Sequence, residues 1–249
     1  MKSVILLTLF IYVFSNSQPK YSLGLIPEDI IMPTNVGLNL SKALPITYTA
    51  PHNSIIKNQG SCGACYSFAV SEVYEGYFIK TQNRQASQQS IMWNAMGPQA
   101  CVGATPQNAF LGISSGKQAQ PLSTCPYVGV AQPCSTNIYA KYFIGSYGKA
   151  DGIDAIKNAL VTYGPLFITM RVYADFYTPN PTAYYTYQSG AFIGYHAIAL
   201  VGYDSQGWTI KNSWGSSWGN MGYLKIAYSQ MTNVVEFGGM GAFYAISAT

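Results

Sequence analysis

Apolar positions change their period midway along the chain, and that change predicts the architecture. Across residues 65–78 they recur at helical spacing, at Phe68, Ala69, Val73, Tyr77 and Phe78. A turn-rich loop, Gln59-Gly60-Ser61-Cys62-Gly63-Ala64, leads into this run and places Cys65 at a helix N-terminus. A second helix is expected over residues 87–96 with Ser87 as its cap. A third is expected over 152–163, ended by Gly164-Pro165. The later half reads as strands. Residues 166–172 are rich in β-formers, and 197–201 form a continuous apolar run, as in a strand covered on both faces. Residues 208–211 and 222–228 read as two more. The Tyr-rich stretch 184–187 is read as loop. Helices first and strands second predict an α+β protein with a helical lobe and a sheet lobe.

Composition narrows the picture. Of 249 residues, 49% are hydrophobic and only 9% charged, which excludes a disordered chain. The net charge is +4, but the thirteen basic residues are scattered, without the clustered stripe of a nucleic-acid reader. At the N-terminus, Lys2 precedes an apolar stretch over residues 4–14 broken only by Thr8, and Ser15-Asn16-Ser17 offers small residues for cleavage. Residues 1–17 therefore read as a secretory signal. The run is shorter than the ~20 apolar residues that span a bilayer. A chain released from such a signal is expected in the secretory pathway, with no membrane association. Residues 18–43, rich in Pro, Leu and Asn, read as a short pro-segment or linker. They hold an Asn39-Leu40-Ser41 glycosylation acceptor. In an oxidising compartment, five cysteines mean disulfides and one leftover thiol, either an unpaired accident or a reactive group.

Nucleophilic chemistry at a thiol needs a thiolate, a base, a group orienting the base and donors for an oxyanion. A free cysteine near pKa 8.5 is mostly protonated; a helix N-terminus and a nearby imidazolium lower that value. Cys65 meets the first condition. Of two histidines, His52 lies between Pro51 and Asn53 in a loop and reads as structural. His196 stands at the mouth of the apolar strand. Asn212 lies in Ile210-Lys211-Asn212-Ser213-Trp214-Gly215-Ser216-Ser217-Trp218-Gly219, where Trp214 can keep water from a His–Asn hydrogen bond and so strengthen it.

The block Gln59-Gly60-Ser61-Cys62-Gly63-Ala64-Cys65-Tyr66-Ser67-Phe68-Ala69 resembles the active-site segment of papain and the cathepsins. That family is known by a Cys-Gly-Ser/Ala-Cys-Trp/Tyr signature with His and Asn about 130–150 residues on. His196 and Asn212 follow Cys65 by 131 and 147 residues, and Asn212 heads a matching Asn-Ser-Trp-Gly-x-x-Trp-Gly block. The resemblance covers residues 44–249 and implies a peptidase catalytic domain there, in a papain-like two-lobe fold with a helical left lobe and a β-sheet or barrel right lobe. It implies Cys65 as nucleophile, His196 as general base and acid, Asn212 as the residue fixing the imidazole, and Gln59 with the Cys65 N–H as oxyanion donors. Gly103, Ala104, Thr105, Pro106, Thr169 and Tyr195 would line or border the substrate cleft. Trp214 would shield the imidazole, and Trp218 would flank the leaving-group side. Pairing of Cys62 with Cys101 and of Cys125 with Cys134 would leave Cys65 free.

The implied activity is a cysteine endopeptidase acting on proteins or peptides through an acyl-enzyme, without metal or cofactor. Such an enzyme would be a monomer open to cystatin-like inhibitors, in a lysosome- or vacuole-like compartment or outside the cell. Alternatives are a catalytically inactive binding protein of the same fold and a dipeptidyl exopeptidase of the cathepsin C kind. Tyr66 stands where Trp is usual, as in cathepsin C, but the chain has no length for that relative's exclusion domain and lacks the paired histidines of the cathepsin B loop. Both points favour an endopeptidase. Asn94 replaces a common cysteine and Ala104 a usual glycine. Residues 18–43 are far shorter than the family's helical prodomain, so they are expected to lie extended through the cleft.

Overall fold

A central helix, α1 (Cys65–Phe78), is buried along nearly its whole length. Its polar side chains are satisfied locally: Ser67 Oγ donates to the Ala64 carbonyl and Ser71 Oγ to the Phe68 carbonyl. The computed structural model describes residues 21–28, 30–79, 81–135, 142–231 and 234–249. The signal-like residues 1–17 lie outside the described residues.

Helix α2 (Gln88–Met96) begins as expected, with Ser87 Oγ accepting from the Ser90 N–H. It ends at Gly97, whose φ of +55° suits glycine. A short helix, α3 (Pro106–Leu111), has Thr105 as its cap and Pro106 in its first turn. Six residues are too few to show a period, so the sequence pattern missed it. Helix α4 (Ile153–Tyr163) follows Gly152 and stops at Gly164. Pro165 packs against Gly76 of α1, where an added Cβ would lie 2.2 Å from the proline ring.

Among the described residues, eight strands form one sheet: β1 (Tyr48–Thr49), β2 (Ile144–Ala150), β3 (Leu166–Tyr173), β4 (Tyr184–Tyr185), β5 (Phe192–Tyr203), β6 (Gly207–Lys211), β7 (Tyr223–Ala227) and β8 (Ala242–Ala248). Their order is β2-β8-β3-β5-β6-β7-β4, with β1 added to β5. Every pairing is antiparallel except β4 on β7. Tyr184 and Tyr185, expected in a loop, form a parallel edge pair with Lys225 and Ile226. The run read at 197–201 is the middle of a twelve-residue strand. Strand β2 hid behind Gly145 and Gly148; the Tyr244 ring crosses Gly148, 2.5 Å from where a Cβ would stand.

One core gathers around α1, with Tyr66, Val70, Tyr74, Ile91 and Phe110. The other lies on the sheet, with Ile156, Leu160, Ile168, Leu200, Trp208 and Phe237. The helical lobe and sheet lobe thus make an α+β protein. Between them runs a cleft, with the N-terminus of α1 on one wall and β5 on the other. Asn94 points its amide N–H groups at the carbonyls of Gly112, Lys117 and Gln118 and so ties α2 to the loop that follows α3.

Candidate active site

Cys65 is the first residue of α1. The residue before it, Ala64, supplies no side-chain cap. The positive end of the helix is therefore left to act on the thiol. The Cys65 sulfur accepts from the Ala197 N–H at 3.4 Å, which brings β5 onto α1. Cys62–Cys101 and Cys125–Cys134 are disulfides, and Cys65 is a free thiol.

The neighbour of Ala197 is His196. Its Nε2 lies 2.8 Å from Asn212 Oδ1, which also accepts from the Ser213 N–H. Nδ1 is buried without a hydrogen-bond partner. With Nε2 donating to Asn212, Nδ1 is the basic nitrogen. The imidazole stacks on Trp214, centroids 4.7 Å apart. Burial pushes the Cys65 thiol up to about 12, against backbone N–H groups of Ala197 and Gly24 that favour the thiolate. Burial likewise holds His196 down to about 4, with the Asn212 bond opposing. The covered site therefore favours a neutral thiol–imidazole pair.

Gln59 is fully buried. Its Oε1 accepts from Ser213 Oγ at 2.6 Å, and its Nε2 donates to the carbonyls of Cys62 and Ser22. Ser213, which aims this amide, carried no separate signal in the sequence. Behind the site lies a buried ion cluster that the sequence reading also missed. Lys211 donates to Glu72 at 2.5 Å and to the Asn53 carbonyl; Lys57 meets Glu75 at 2.6 Å and Glu72 at 3.7 Å. Two acids within a buried helix, in a chain this poor in charge, were the available clue.

The cleft is occupied by the chain's own residues 21–26. Gly24 lies beside Cys65, where its backbone N–H favours the thiolate. Gly24 O accepts from the Ala104 N–H, Ile26 N–H donates to Ala104 O, and Leu25 N–H donates to Tyr195 O. Leu25 thus pairs parallel with Ala104 and antiparallel with Tyr195. The Ser22 carbonyl accepts from the Nε1–H of Trp214 and from one Nε2–H of Gln59. The approach is so close that a Cβ on Gly24 would fall 1.8 Å from the Gly63 carbonyl oxygen. Gly103 faces Gly24 across the strap.

The remaining sequence-derived positions divide. Gly103, Ala104 and Tyr195 touch the strap through main-chain atoms. Thr105 and Pro106 begin α3, and the Thr105 hydroxyl is used in its cap. Thr169 is fully buried on β3 opposite Ala197. Trp218 is buried, donates to the Phe176 carbonyl and meets Trp214 edge-on, so it supports that indole from behind. His52 is held by the Ala50 carbonyl and the Tyr223 hydroxyl, away from the cleft. Among the described residues no group of His, Cys, Asp and Glu could hold a metal ion, and no helix is long and apolar enough to cross a membrane.

A thiol at a helix start, an imidazole held by an amide, and a buried glutamine at one two-lobe cleft define the class of papain-like thiol proteins. The papain family cysteine protease model matches residues 49–240, and the chain belongs to that family. It is 30% identical over 190 residues to digestive cysteine proteinase 2 of Homarus americanus, covering 72% of this chain and 59% of that protein. It is 31% identical to mouse procathepsin L over 189 residues, covering 69% and 56%. The chain thus spans less than two thirds of the length of these curated relatives. Its fold matches xylellain, a cysteine protease from Xylella fastidiosa, with a TM-score of 0.75 at 19% identity over 92% of this chain and 97% of that one. Procathepsin B from Trypanosoma congolense gives a TM-score of 0.73 at 19% identity, over 92% and 84%.

Proposed function

We propose that this chain is a thiol endopeptidase whose residues 21–26 act as a strap restraining it. The carrying observation is the contact set that joins Cys65 to β5 and His196 to Asn212 in one cleft. When the strap leaves, His196 Nδ1 takes the Cys65 proton. The thiolate attacks the carbonyl carbon of a peptide bond, and the oxyanion is held by Gln59 Nε2–H and the Cys65 N–H. Collapse breaks the C–N bond, and His196 returns its proton to the leaving amine. Water, deprotonated by His196, then attacks the thioester; the acid product and Cys65 are released. Asn212 keeps the imidazole in the tautomer that presents Nδ1.

The strap supports an internal rather than a terminal cut. It passes Cys65 with chain on both sides, from Tyr21 at Trp214 to Ile26 beyond Ala104. It also supports restraint, because the Ser22 carbonyl takes the Gln59 Nε2–H that would serve the oxyanion and the Gly24 carbonyl is bonded by the Ala104 N–H. Residues 34–39 fasten its downstream end: Asn35 N–H donates to Lys149 O, and Tyr244 and Asn158 donate to the carbonyls of Val36 and Asn39. Secretory routing is supported by the signal-like first seventeen residues and the two disulfides.

The test is active-site labelling with an epoxide inhibitor of papain-like enzymes, read by intact mass and peptide mapping. The full chain is compared with Gly24→Ala, whose added methyl cannot fit against Gly63. A single adduct on Cys65, forming at least about tenfold faster in Gly24→Ala and absent in Cys65→Ala, is expected. Equal rates would remove the strap from the reading. No adduct on folded Gly24→Ala would favour a catalytically inactive binding protein.

A further inference from the structure

The strap places side chains on both sides of Cys65, and one marks a place to which the catalytic reading assigns nothing. The Tyr21 ring lies flat on Trp214, centroids 4.6 Å apart and planes 3° apart. Tyr177 meets the same Tyr21 ring edge-on at 5.7 Å and 62°. Tyr177 also meets Trp214 edge-on, at 5.7 Å and 60°. Its hydroxyl donates to the Tyr21 carbonyl at 3.3 Å. The result is a floor, a wall and one side-chain hydroxyl at the rim that donates to main chain. The floor is fixed from below, because Phe176 and Trp218 both pack on the Trp214 ring. The wall is set by the 3-10 turn Ala174–Tyr177 that follows β3.

The position of this aromatic corner along the cleft follows from the imidazole. Trp214 stacks on His196, the group that must protonate the departing amine, so chain crossing Trp214 belongs to the leaving-group side. Tyr21 is three residues from Gly24, which lies beside Cys65. At about 3.3 Å per extended residue that is roughly 10 Å from the reacting atom.

Resting on the endopeptidase reading above, we propose that Trp214 and Tyr177 form a subsite for an aromatic side chain of the substrate, two or three residues past the scissile bond. Tyr177 is its specificity-determining residue. An aromatic ring gains a stacking face and an edge contact there that an aliphatic side chain cannot match. The Tyr177 hydroxyl bonds main chain and therefore adds affinity without selecting a side chain.

The test measures kcat/KM of the full chain on internally cleaved, end-blocked peptides with one fixed acyl side. The peptides differ only in carrying Tyr or Ala at each of the first three leaving-group positions. A strap that competes with substrate divides every kcat/KM by the same factor, so the Tyr/Ala ratio reads the subsite alone. A ratio of about 5–10 at the second or third position is expected. It should fall toward 2 or below in Tyr177→Ala and in Tyr177→Leu. It should persist in Tyr177→Phe, where both peptides slow equally. The Leu and Phe variants keep the turn filled should Tyr177→Ala not fold. A native ratio of one at every position, or a ratio untouched by Tyr177→Leu, overturns the subsite while epoxide labelling of Cys65 leaves the peptidase reading standing. No cleavage together with no labelling, strap displaced or not, overturns both.

Discussion

Two buried clusters lie back to back across the same pair of elements. The front one is Cys65, His196 and Asn212; the rear one is Lys57, Glu72, Glu75 and Lys211. Helix α1 supplies Cys65 to the front and, two and three turns further in, Glu72 and Glu75 to the rear. Strand β6 ends on Lys211, which points into the ion cluster, and the next residue, Asn212, faces the cleft, as alternation along an extended chain requires. In the rear cluster every side chain reaches an opposite charge. In the front one both titratable groups are held neutral, and His196 Nδ1 is left without a hydrogen bond. Similar burial thus gives a knot of paired acids and lysines in one place and, in the other, a neutral thiol–imidazole pair with one nitrogen left unspent.

The sharpest way to break this contrast is to delete one member from each cluster. Cys65→Ala removes the proposed nucleophile but no buried charge. Activity should fall about 10⁵–10⁶-fold while the unfolding midpoint stays within a few degrees. Lys211→Met should do the reverse. It leaves Glu72 without its 2.5 Å partner, and losing one side of a buried pair costs about 3–5 kcal/mol. For a chain of this size that lowers the midpoint by ~10 °C. Should Lys211→Met leave thermal unfolding unchanged, the rear cluster is not the structural knot described here.

Gln59→Ala probes the seam between the two. The amide is fixed by Ser213, which follows Asn212, and aims Nε2 into the cleft. Peptidase activity should drop about 10²–10³-fold, mostly in kcat, as for loss of one oxyanion donor elsewhere. An effect confined to KM would place Gln59 in ground-state binding instead.

The sequence made the front cluster legible and hid the rear one, for a physical reason. Cys65, His196 and Asn212 sit in local contexts that announce themselves: a glycine-rich loop into a helix, an apolar strand, and a tryptophan-flanked turn. Lys57, Glu72, Glu75 and Lys211 are ordinary charges on ordinary elements, and only the tertiary fold brings them within 4 Å. The same holds for the elements. α1, α2, α4 and the apolar strands show a period or a cap. Strand β2 carries two glycines that make room for a neighbour from distant sequence, and β8 follows a stretch with no clear alternation. Tyr177 belongs with the hidden group, since nothing local distinguishes it from the chain's twenty other tyrosines.

The mildest test sets the two clusters against each other by pH. His196 is held down to about 4 by burial, so between its unfolded value near 6.5 and about 4 the unfolded chain binds the extra proton. Stability from this group is therefore full above 6.5 and is lost as pH falls to 4. Glu75 is pushed up to about 7 by burial, against the pull of Lys57. Between about 7 and its unfolded value near 4.5 the folded chain holds the extra proton, so this group adds stability as pH falls through the same window. The two contributions oppose, so the strapped native chain should show a shallower pH dependence of its unfolding midpoint from pH 6.5 to 4.5 than a variant that lacks either group. Glu75→Gln should leave the His196 slope alone and make the midpoint fall on acidification; His196→Gln should make it rise. If both variants stay as flat as the native chain, neither group changes its proton affinity on folding. Contrasting slopes would tie the neutral imidazole to the covered cleft, and Gly24→Ala, which uncovers it, should then weaken the His196 slope in the Glu75→Gln background.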